Sequence, residues 1–195
     1  MKRLLTLLAF VVCSALAWGQ TTAGVATTQD EFAVVGVGDK VPSFEVPMTD
    51  GTTLRSDDLS GKVVLITLWA SWCPSCRKEF SAIGKGAFKG LLENENFVWV
   101  PIAREENVAT VKAWFEKKGY DFVSGSDADR SIYALFATQE IPRNIVVDRG
   151  GIIVHHSAGY TKKGFAELVE RLENMLNYKT ILDYVRRINV DYGGG

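Results

Sequence analysis

Cysteine and histidine are scarce in this chain of 195 residues, which has three cysteines and two histidines. Two of the cysteines, Cys73 and Cys76, are three positions apart, and the histidines, His155 and His156, are adjacent and far along the sequence. A structural zinc site needs about four ligands, so we expect no bound metal. A disulfide across so short a loop gains little stability from cross-linking, which argues against a disulfide-stapled scaffold.

A strong charge of either sign is missing as well. The formal net charge is -1, and a chain without the N-terminal basic residues Lys2 and Arg3 has a charge of about -3. Such a chain has no basic excess with which to attract nucleic acid or an anionic membrane surface. We therefore expect no nucleic-acid partner.

No hydrophobic run near the N-terminus is long enough to span a bilayer comfortably, since the longest covers only Leu4–Val12. This run follows the basic pair Lys2 and Arg3 and precedes the small residues of Ala15-Leu16-Ala17. That order is typical of an export signal. We predict that residues 1–19 form a signal peptide and that the mature protein is periplasmic.

Lipid anchoring through Cys13 is an alternative use of the N-terminus. Lipoprotein processing usually requires a small residue before the modified cysteine, and Val12 is bulky, which disfavours this alternative. Cleavage of the signal removes Cys13 and leaves Cys73 and Cys76 as the only thiols.

The stretch Trp69-Ala70-Ser71-Trp72-Cys73-Pro74-Ser75-Cys76 connects the apolar run Val63–Trp69 to a helix-forming segment. The two thiols are therefore expected where a buried strand ends and a helix begins. Unpaired backbone N–H groups and the positive end of the helix dipole stabilise a thiolate at such a junction and lower its pKa. We predict thiol-disulfide exchange, with Cys73 as the nucleophile and Cys76 as the resolving thiol.

The two residues between the cysteines bear on the direction of this chemistry. Pro74 suits the first helical turn and stiffens the ring that closes on oxidation. Ser75 is polar but uncharged, so it stabilises a thiolate less than a cationic residue would. This favours a reductant over an oxidant.

Strands and helices alternate along the rest of the chain. The runs Val63–Trp69 and Phe97–Ala103 lack polar alternation, which predicts strands buried on both faces in a mostly parallel sheet. Residues 144–155 predict an antiparallel hairpin, and the apolar spacing after Thr161 predicts a helix lying on the sheet. The pattern is typical of an α/β layered domain.

Two helices are predicted between these strands. Residues 77–92 have helical character, with glycines that imply a kink or break. A second helix is expected between the cap Asn107 and the terminating Gly119.

Composition divides the mature chain into three parts. Residues 20–31 are rich in Thr, Ala and Gly and predict a flexible leader. The folded domain is expected over residues 32–178. Residues 179–195 predict a C-terminal helical extension and a disordered glycine tail.

The order of three motifs resembles a known family. Gly38–Phe44, then Gly61-Lys62, then Trp69–Glu79 are similar to the thioredoxin superfamily, specifically its exported TlpA/ResA-like branch with a domain of the AhpC/TSA-Redoxin type. The resemblance implies a thioredoxin-like α/β fold, with a central mixed β-sheet flanked by helices. It also implies an N-terminal strand extension, a strand-helix insertion between Phe97 and about Tyr120, and an extra C-terminal helix.

The resemblance implies a function as well. Such proteins pass electrons to oxidised cysteines outside the cytoplasm, some of them in cytochrome c maturation. The implied partners are oxidised cysteine-containing proteins and a membrane electron donor of the thiol-relay type. The implied redox centre is the disulfide Cys73–Cys76, with no added cofactor, and the oligomeric state stays open.

Several residues are expected to contact the substrate. By resemblance, Ile141-Pro142 matches a cis-proline loop that lies beside the dithiol and offers backbone groups to a substrate peptide. Trp72 is expected at the rim and Trp69 in the core. Arg143 departs from the family, which commonly has a small hydroxyl residue there; it would select acidic peptides or orient a carboxylate, or else be a solvated loop cation. The full expected contact set is Trp72, Pro74, Ser75, Ile141, Pro142 and Arg143.

Glu79 follows Cys76 by one helical turn and is the candidate proton acceptor. Resolution of the mixed disulfide requires Cys76 to lose a proton, and a partly buried carboxylate of raised pKa can accept it. The competing interpretation is a solvated carboxylate paired with a nearby Lys or Arg. Thioredoxin has a buried aspartate where this chain has Thr67, which leaves Glu79 as the first candidate.

Other functions leave weaker signals. A peroxiredoxin-like peroxidase would need a threonine three residues before its reactive cysteine, where this chain has Ala70. A binding module with a purely structural disulfide is the remaining alternative, although nothing in the motif is degraded. For His155 and His156 we expect one packed and one exposed side chain.

Overall fold

The computed structural model describes residues 30–177. The predictions for the signal peptide (1–19), for Cys13, for most of the leader (20–31) and for the C-terminal extension (179–195) therefore lie outside the described residues. Between residues 30 and 177, no helix is long and apolar enough to cross a membrane.

A five-stranded mixed sheet forms the centre of the fold. Its strands are β3 (Val63–Trp69), β4 (Phe97–Arg104), β5 (Gly125–Asp127), β6 (Arg143–Val147) and β7 (Ile153–Ala158), in the order β5-β4-β3-β6-β7. The β3–β4 and β4–β5 pairs are parallel, while β3–β6 and β6–β7 are antiparallel. A separate antiparallel pair, β1 (Glu45–Pro47) and β2 (Thr53–Arg55), precedes it.

Strand β3 is central because both of its faces are apolar and all seven of its residues are buried. Val64, Ile66 and Leu68 belong to one core, whereas Val63 and Leu65 belong to the core on the opposite face. This arrangement confirms the predicted α/β layers and mixed sheet flanked by helices. It also brings the end of β3 to the edge where the dithiol lies.

Helices cover the sheet. They are α1 (Pro74–Ala82), α2 (Lys89–Leu92), α3 (Val108–Lys118), α4 (Ser131–Phe136) and α5 (Lys162–Asn177). A π-helical turn at Ile83–Ala87 separates α1 from α2, and Gly86 within it has φ of 98°, a value that favours glycine. The break predicted from the glycines is confirmed.

Both ends of α3 and the start of α5 follow signals in the sequence. Asn107 Oδ1 accepts a hydrogen bond from Thr110 N at 2.9 Å, and α3 ends at Gly119, which is left-handed with φ of 67°. Thr161 Oγ1 accepts from Gly164 N at 3.0 Å at the start of α5. Because α3 then packs Val111 and Phe115 near Cys73, these local signals help to position the site.

Candidate functional site

The dithiol lies where β3 passes into α1. Cys73 is the N-cap of α1 and Pro74 is its first residue, as the spacing predicts. Cys73 Sγ accepts a hydrogen bond from Cys76 N at 3.2 Å, and the two cysteines form a disulfide with a Cα–Cα distance of 5.3 Å. Sulfur at this position faces the unpaired N–H groups of a helix start, which stabilise negative charge.

The two sulfurs differ only slightly in accessibility. Cys73 is 4% exposed to solvent and Cys76 is fully buried. Cys73 is therefore the more reachable sulfur, although it does not stand open to solvent. One reason is that the carbonyl oxygen of Ile141 lies 3.7 Å from Cys73 Sγ.

Ile141-Pro142 is a cis peptide, as the resemblance implies. Its loop is held from the β7 side, where Gly159 N donates to Pro142 O at 2.8 Å. Ile141 is half-buried and Pro142 buried. The loop thus lies beside Cys73, as expected, and presents the Ile141 carbonyl group next to the reactive sulfur.

The turn before Cys73 is held by a residue that the sequence did not single out. Glu106 Oε2 accepts from Ser71 N at 2.7 Å, and Glu106 Oε1 accepts from the Ser71 hydroxyl. Glu106 is itself buried, and its carbonyl accepts from Ser126 Oγ at 2.7 Å. No motif marks Glu106, because its partner lies 35 positions earlier in the chain.

The tryptophans divide as predicted. Trp69 is fully buried, and its indole N–H donates to Ser124 Oγ at 3.1 Å. Trp72 is 53% exposed beside Cys73, and the Arg104 guanidinium lies 5.5 Å from the centre of its ring. A large exposed apolar side chain next to the reactive sulfur forms a rim suited to contact with a partner.

Pro74 is exposed and Ser75 half-buried, so both remain available at the start of α1.

Glu79 is fully buried, so the solvated interpretation is wrong. Burial raises its pKa to about 7, and a hydrogen bond from Asn144 opposes that rise. Asn144 Nδ2 donates to Glu79 Oε1 at 2.8 Å, while Glu79 Oε2 has no hydrogen-bond partner among the described residues. A carboxyl group with such a pKa exchanges protons near neutral pH.

Asn144 is the second residue that sequence reasoning missed. It links Glu79 to Thr67, whose hydroxyl donates to Asn144 Oδ1 at 2.9 Å. The available signal was a buried-strand position occupied by an amide two residues after Pro142. A polar side chain at the start of the apolar run 145–147 requires a partner, but the sequence does not say which.

The expectations for Arg143 need correction. Its side chain is fully buried in β6, so it is neither a solvated cation nor exposed for contact with a peptide. It does hold a carboxylate, that of Asp30, through Nη1 and through Nη2 at 3.3 Å to Oδ1. Its Nε also donates to Gln139 O at 2.8 Å. Arg143 makes these contacts because it lies within the sheet, where a buried guanidinium requires hydrogen-bond acceptors.

The histidines also differ from expectation. Both His155 and His156 are half-buried. Burial lowers the pKa of both, to about 4 for His155. Over residues 30–177, no cluster of three or more His, Cys, Asp or Glu side chains could hold a metal ion.

The profile of the Redoxin family matches residues 36–176. The chain belongs to the Redoxin family. Within the thioredoxin superfamily it is TlpA/ResA-like, and the prediction of a thioredoxin-like oxidoreductase is confirmed.

Individual relatives agree with this assignment. The chain is 29% identical over 125 residues to the thiol:disulfide interchange protein DsbE of Pseudomonas aeruginosa, covering 63% of this chain and 67% of that one. It is 24% identical over 140 residues to the thiol-disulfide oxidoreductase ResA of Bacillus thuringiensis, covering 72% and 76%.

Solved structures are similar as well. The solution structure of a Bacteroides thetaiotaomicron protein, provisionally named a protein disulfide isomerase, has a TM-score of 0.71 and 34% identity, covering 75% of this chain and 94% of that one. A crystal structure of a thioredoxin-family thiol:disulfide interchange protein from Chlorobium tepidum has a TM-score of 0.58 and 25% identity, covering 71% and 98%. The fold of this chain is thus shared over nearly the whole length of both structures.

Proposed function

We propose that this Redoxin-family protein reduces disulfides of other proteins outside the cytoplasm. The observation that carries the proposal is the pair Cys73–Cys76 at the start of α1, with the carbonyl group of Ile141 3.7 Å from Cys73 Sγ. A thiol at a helix start is poised for attack. The neighbouring backbone group is available to align an extended peptide.

In the reduced protein, the Cys73 thiolate attacks one sulfur of a substrate disulfide. A mixed disulfide forms, and the first substrate sulfur leaves as a thiolate. Cys76 then loses its proton and attacks Cys73 Sγ, which breaks the mixed disulfide and releases the second substrate sulfur. The protein ends with the Cys73–Cys76 disulfide, and the substrate gains two electrons and two protons.

Glu79 is the group we assign to the proton of Cys76. It follows Cys76 by one turn of α1, where residues three apart share a helix face. Both side chains are fully buried, so water has little access to this thiol. A carboxyl group whose pKa is about 7 accepts a proton and returns it to solvent within the physiological range.

Substrate peptides are expected to dock across the surface formed by Trp72, Pro74, Ser75 and Ile141-Pro142. Trp72 supplies exposed apolar area, and the loop supplies backbone hydrogen-bonding groups next to the reactive sulfur. We therefore expect this surface to recognise the backbone of the substrate peptide rather than its charged side chains.

Insulin disulfide reduction with an electron donor tests the proposal. Wild type should be active, and Cys73→Ser should be inactive. Cys76→Ser should accumulate a mixed disulfide, because attack proceeds without resolution. Equal activity in wild type and Cys73→Ser would leave only a structural role for the disulfide.

More specifically, we propose that the protein reduces its substrates as part of cytochrome c maturation. Its support is the resemblance to DsbE and ResA proteins. Haem is attached at a Cys-x-x-Cys-His segment, whose two cysteines must be reduced. An oxidised peptide of this pattern should be reduced faster than insulin, and electrons should come from a membrane thiol relay; equal rates would favour a general reductant.

Export is proposed from the N-terminal signal pattern. Fractionation of cells that express the full chain should place the mature protein in the periplasm. Mass spectrometry of that protein distinguishes cleavage near residue 19 from lipid attachment at Cys13.

A further inference from the structure

A chain of hydrogen bonds crosses three neighbouring strands and ends on Glu79. Trp99 Nε1 in β4 donates to Thr67 Oγ1 in β3 at 3.0 Å, and the Thr67 hydroxyl donates to Asn144 Oδ1 in β6 at 2.9 Å. Asn144 Nδ2 then donates to Glu79 Oε1 at 2.8 Å. Each link is within the range of a good hydrogen bond.

The indole of Trp99 determines which group donates and which accepts in each of these hydrogen bonds. An indole N–H can only donate, so Thr67 Oγ1 accepts from Trp99 and sends its single proton to Asn144. Asn144 must present its oxygen to that proton, which turns its amide nitrogen towards Glu79. The opposite amide orientation would set two oxygens against each other at Glu79.

The second carboxylate oxygen of Glu79 takes no part in this hydrogen-bond network. Oε2 is buried and has no hydrogen-bond partner within residues 30–177. Buried polar atoms are normally paired, so a free one calls for an explanation. Its position one helical turn after the buried Cys76 supplies one.

We propose that Asn144 is a positioning residue: by holding Glu79 Oε1, it leaves Oε2 to receive the proton that Cys76 loses. The inference rests on the proposed disulfide reduction and names a residue that acts through Glu79. In this step the S–H bond of Cys76 breaks, an O–H bond forms at Oε2, and the Cys76 thiolate attacks Cys73. The proton later leaves Glu79 for solvent.

The charged groups on the surrounding elements do not account for the state of Glu79. Arg77 and Lys78 on α1 are exposed, and Arg143 on β6 is held by Asp30. On β7, His155 pairs with Val146 in the sheet register, and burial lowers its pKa to about 4, which keeps it neutral. Burial of Glu79 and the bond from Asn144 are the two causes that act on its pKa.

A groove lies beside this hydrogen-bond network. It is about 1250 Å³ in volume, lies between β6, β7 and α5, and includes Ser75, Asn144 and Tyr160 among the described residues that line it. Asn144, which donates to the buried carboxyl group of Glu79, is thus one of the residues that line this groove.

The test is the titration of Glu79 in the reduced protein, followed by carbon-13 NMR of its carboxyl group and assigned with Glu79→Gln. Asn144→Leu is of similar size but cannot donate, so the pKa of Glu79 should rise by about one unit, a tenfold change in proton affinity. The pH of half-maximal insulin reduction should move upward by the same amount. Thr67→Val should cause a smaller upward shift, because Asn144 stays but its amide is no longer oriented.

A matched control removes a buried hydrogen bond elsewhere. Ser56→Ala deletes the acceptor of Phe44 N, which lies in the core on the other face of the sheet, and should leave the titration of Glu79 unchanged. In a Glu79→Gln background, Asn144→Leu should cause no further change in the pH profile, because the group through which it acts is gone.

The outcomes separate the two proposals. If wild type reduces insulin but Asn144→Leu leaves both the NMR titration and the pH profile unchanged, the positioning role is wrong and the enzyme function stands. If wild type does not reduce disulfides at all, the function fails whatever the titration shows. If Asn144→Leu does not fold, Thr67→Val decides, and an unchanged Glu79 pKa in that variant overturns the inference.

Discussion

Arg143 forms an ion pair with the partly exposed Asp30, which joins the central sheet to the N-terminal end of the described chain. The guanidinium is fully buried, and its partner lies 113 positions earlier. The pair also explains the direction of the Asp30 pKa, which the hydrogen bond from Arg143 lowers below its ordinary value.

Asp30→Ala should lower the free energy of unfolding by about 1 to 3 kcal/mol, because it leaves the buried Arg143 guanidinium without its carboxylate partner. Arg143→Met should cost less, since it removes the charge along with the pair. Urea unfolding at pH 7 measures both. Because the folded-state pKa of Asp30 is lowered, the difference between wild type and Asp30→Ala should shrink as the pH falls through that pKa.

The same pair predicts how Arg143 affects specificity. A buried arginine held by Asp30 does not select peptides, so Arg143→Met should leave the ratio of KM values for acidic and basic peptides unchanged. A selective loss for the acidic peptide would show instead that Arg143 reaches the substrate.

Glu79 predicts a specific dependence of stability on pH. Its pKa is about 7 in the folded protein and 4.5 in the reference state, so between these values the folded state holds a proton that the unfolded state has lost. Stability from this group therefore falls as pH rises from 4.5 to 7, by roughly 3 kcal/mol in all. Glu79→Gln should remove this slope.

The measurement is the difference in free energy of unfolding between wild type and Glu79→Gln from pH 4 to 8, in the oxidised protein, where no thiol titrates. The difference is needed because burial lowers the pKa values of His155 and His156, and these residues give a slope of the opposite sign. A constant difference across the range would mean that the folded-state pKa of Glu79 is not raised.

Glu106 should control the shape of the turn before Cys73. Glu106→Ala removes the acceptor of both the Ser71 backbone N–H and the Ser71 hydroxyl. The unpaired donors should cost about 1 to 3 kcal/mol of stability, and kcat for insulin reduction should fall because Cys73 is less well placed. Glu116→Ala, at an exposed position of α3, is the control and should be near wild type in both measurements.

Trp72 should contribute more to substrate binding than to folding. It is 53% exposed, so Trp72→Ala should lower the free energy of unfolding by about 1 to 2 kcal/mol, less than truncation of a fully buried tryptophan. KM for a protein substrate should rise several-fold. Leu92→Ala, also at an exposed apolar position, is the control: it is the last residue of α2, at the end of the sheet where β4 begins, and should not change KM.

Much of the framework could be predicted from local patterns. The apolar run 63–69 predicted the central strand, because a strand apolar on both faces is stable only when covered on both sides. Asn107, Gly119 and Thr161 predicted helix ends, because capping is decided by neighbouring residues. The strand-helix junction at Cys73 is predictable for the same reason.

The partners of buried polar side chains were not predictable in this way. Arg143 was expected either to select acidic peptides or orient a carboxylate near the site, or to be a solvated loop cation, whereas the structure begins β6 there. Glu79 could be placed one turn from Cys76, but its burial could not be predicted from α1 alone, since it depends on what packs against that helix.

The sequence by itself determined the reactive pair, its position at a helix start and the class of layered fold, because these depend on residue type and short spacing. Only the tertiary structure decided that Asn144, 77 positions after Thr67 and 65 after Glu79, connects the two. The antiparallel pairing of β3 with β6 brings Thr67 opposite Asn144. Hydrogen bonds between such distant residues depend on strand register, which is a property of the assembled sheet and of no single stretch of the chain.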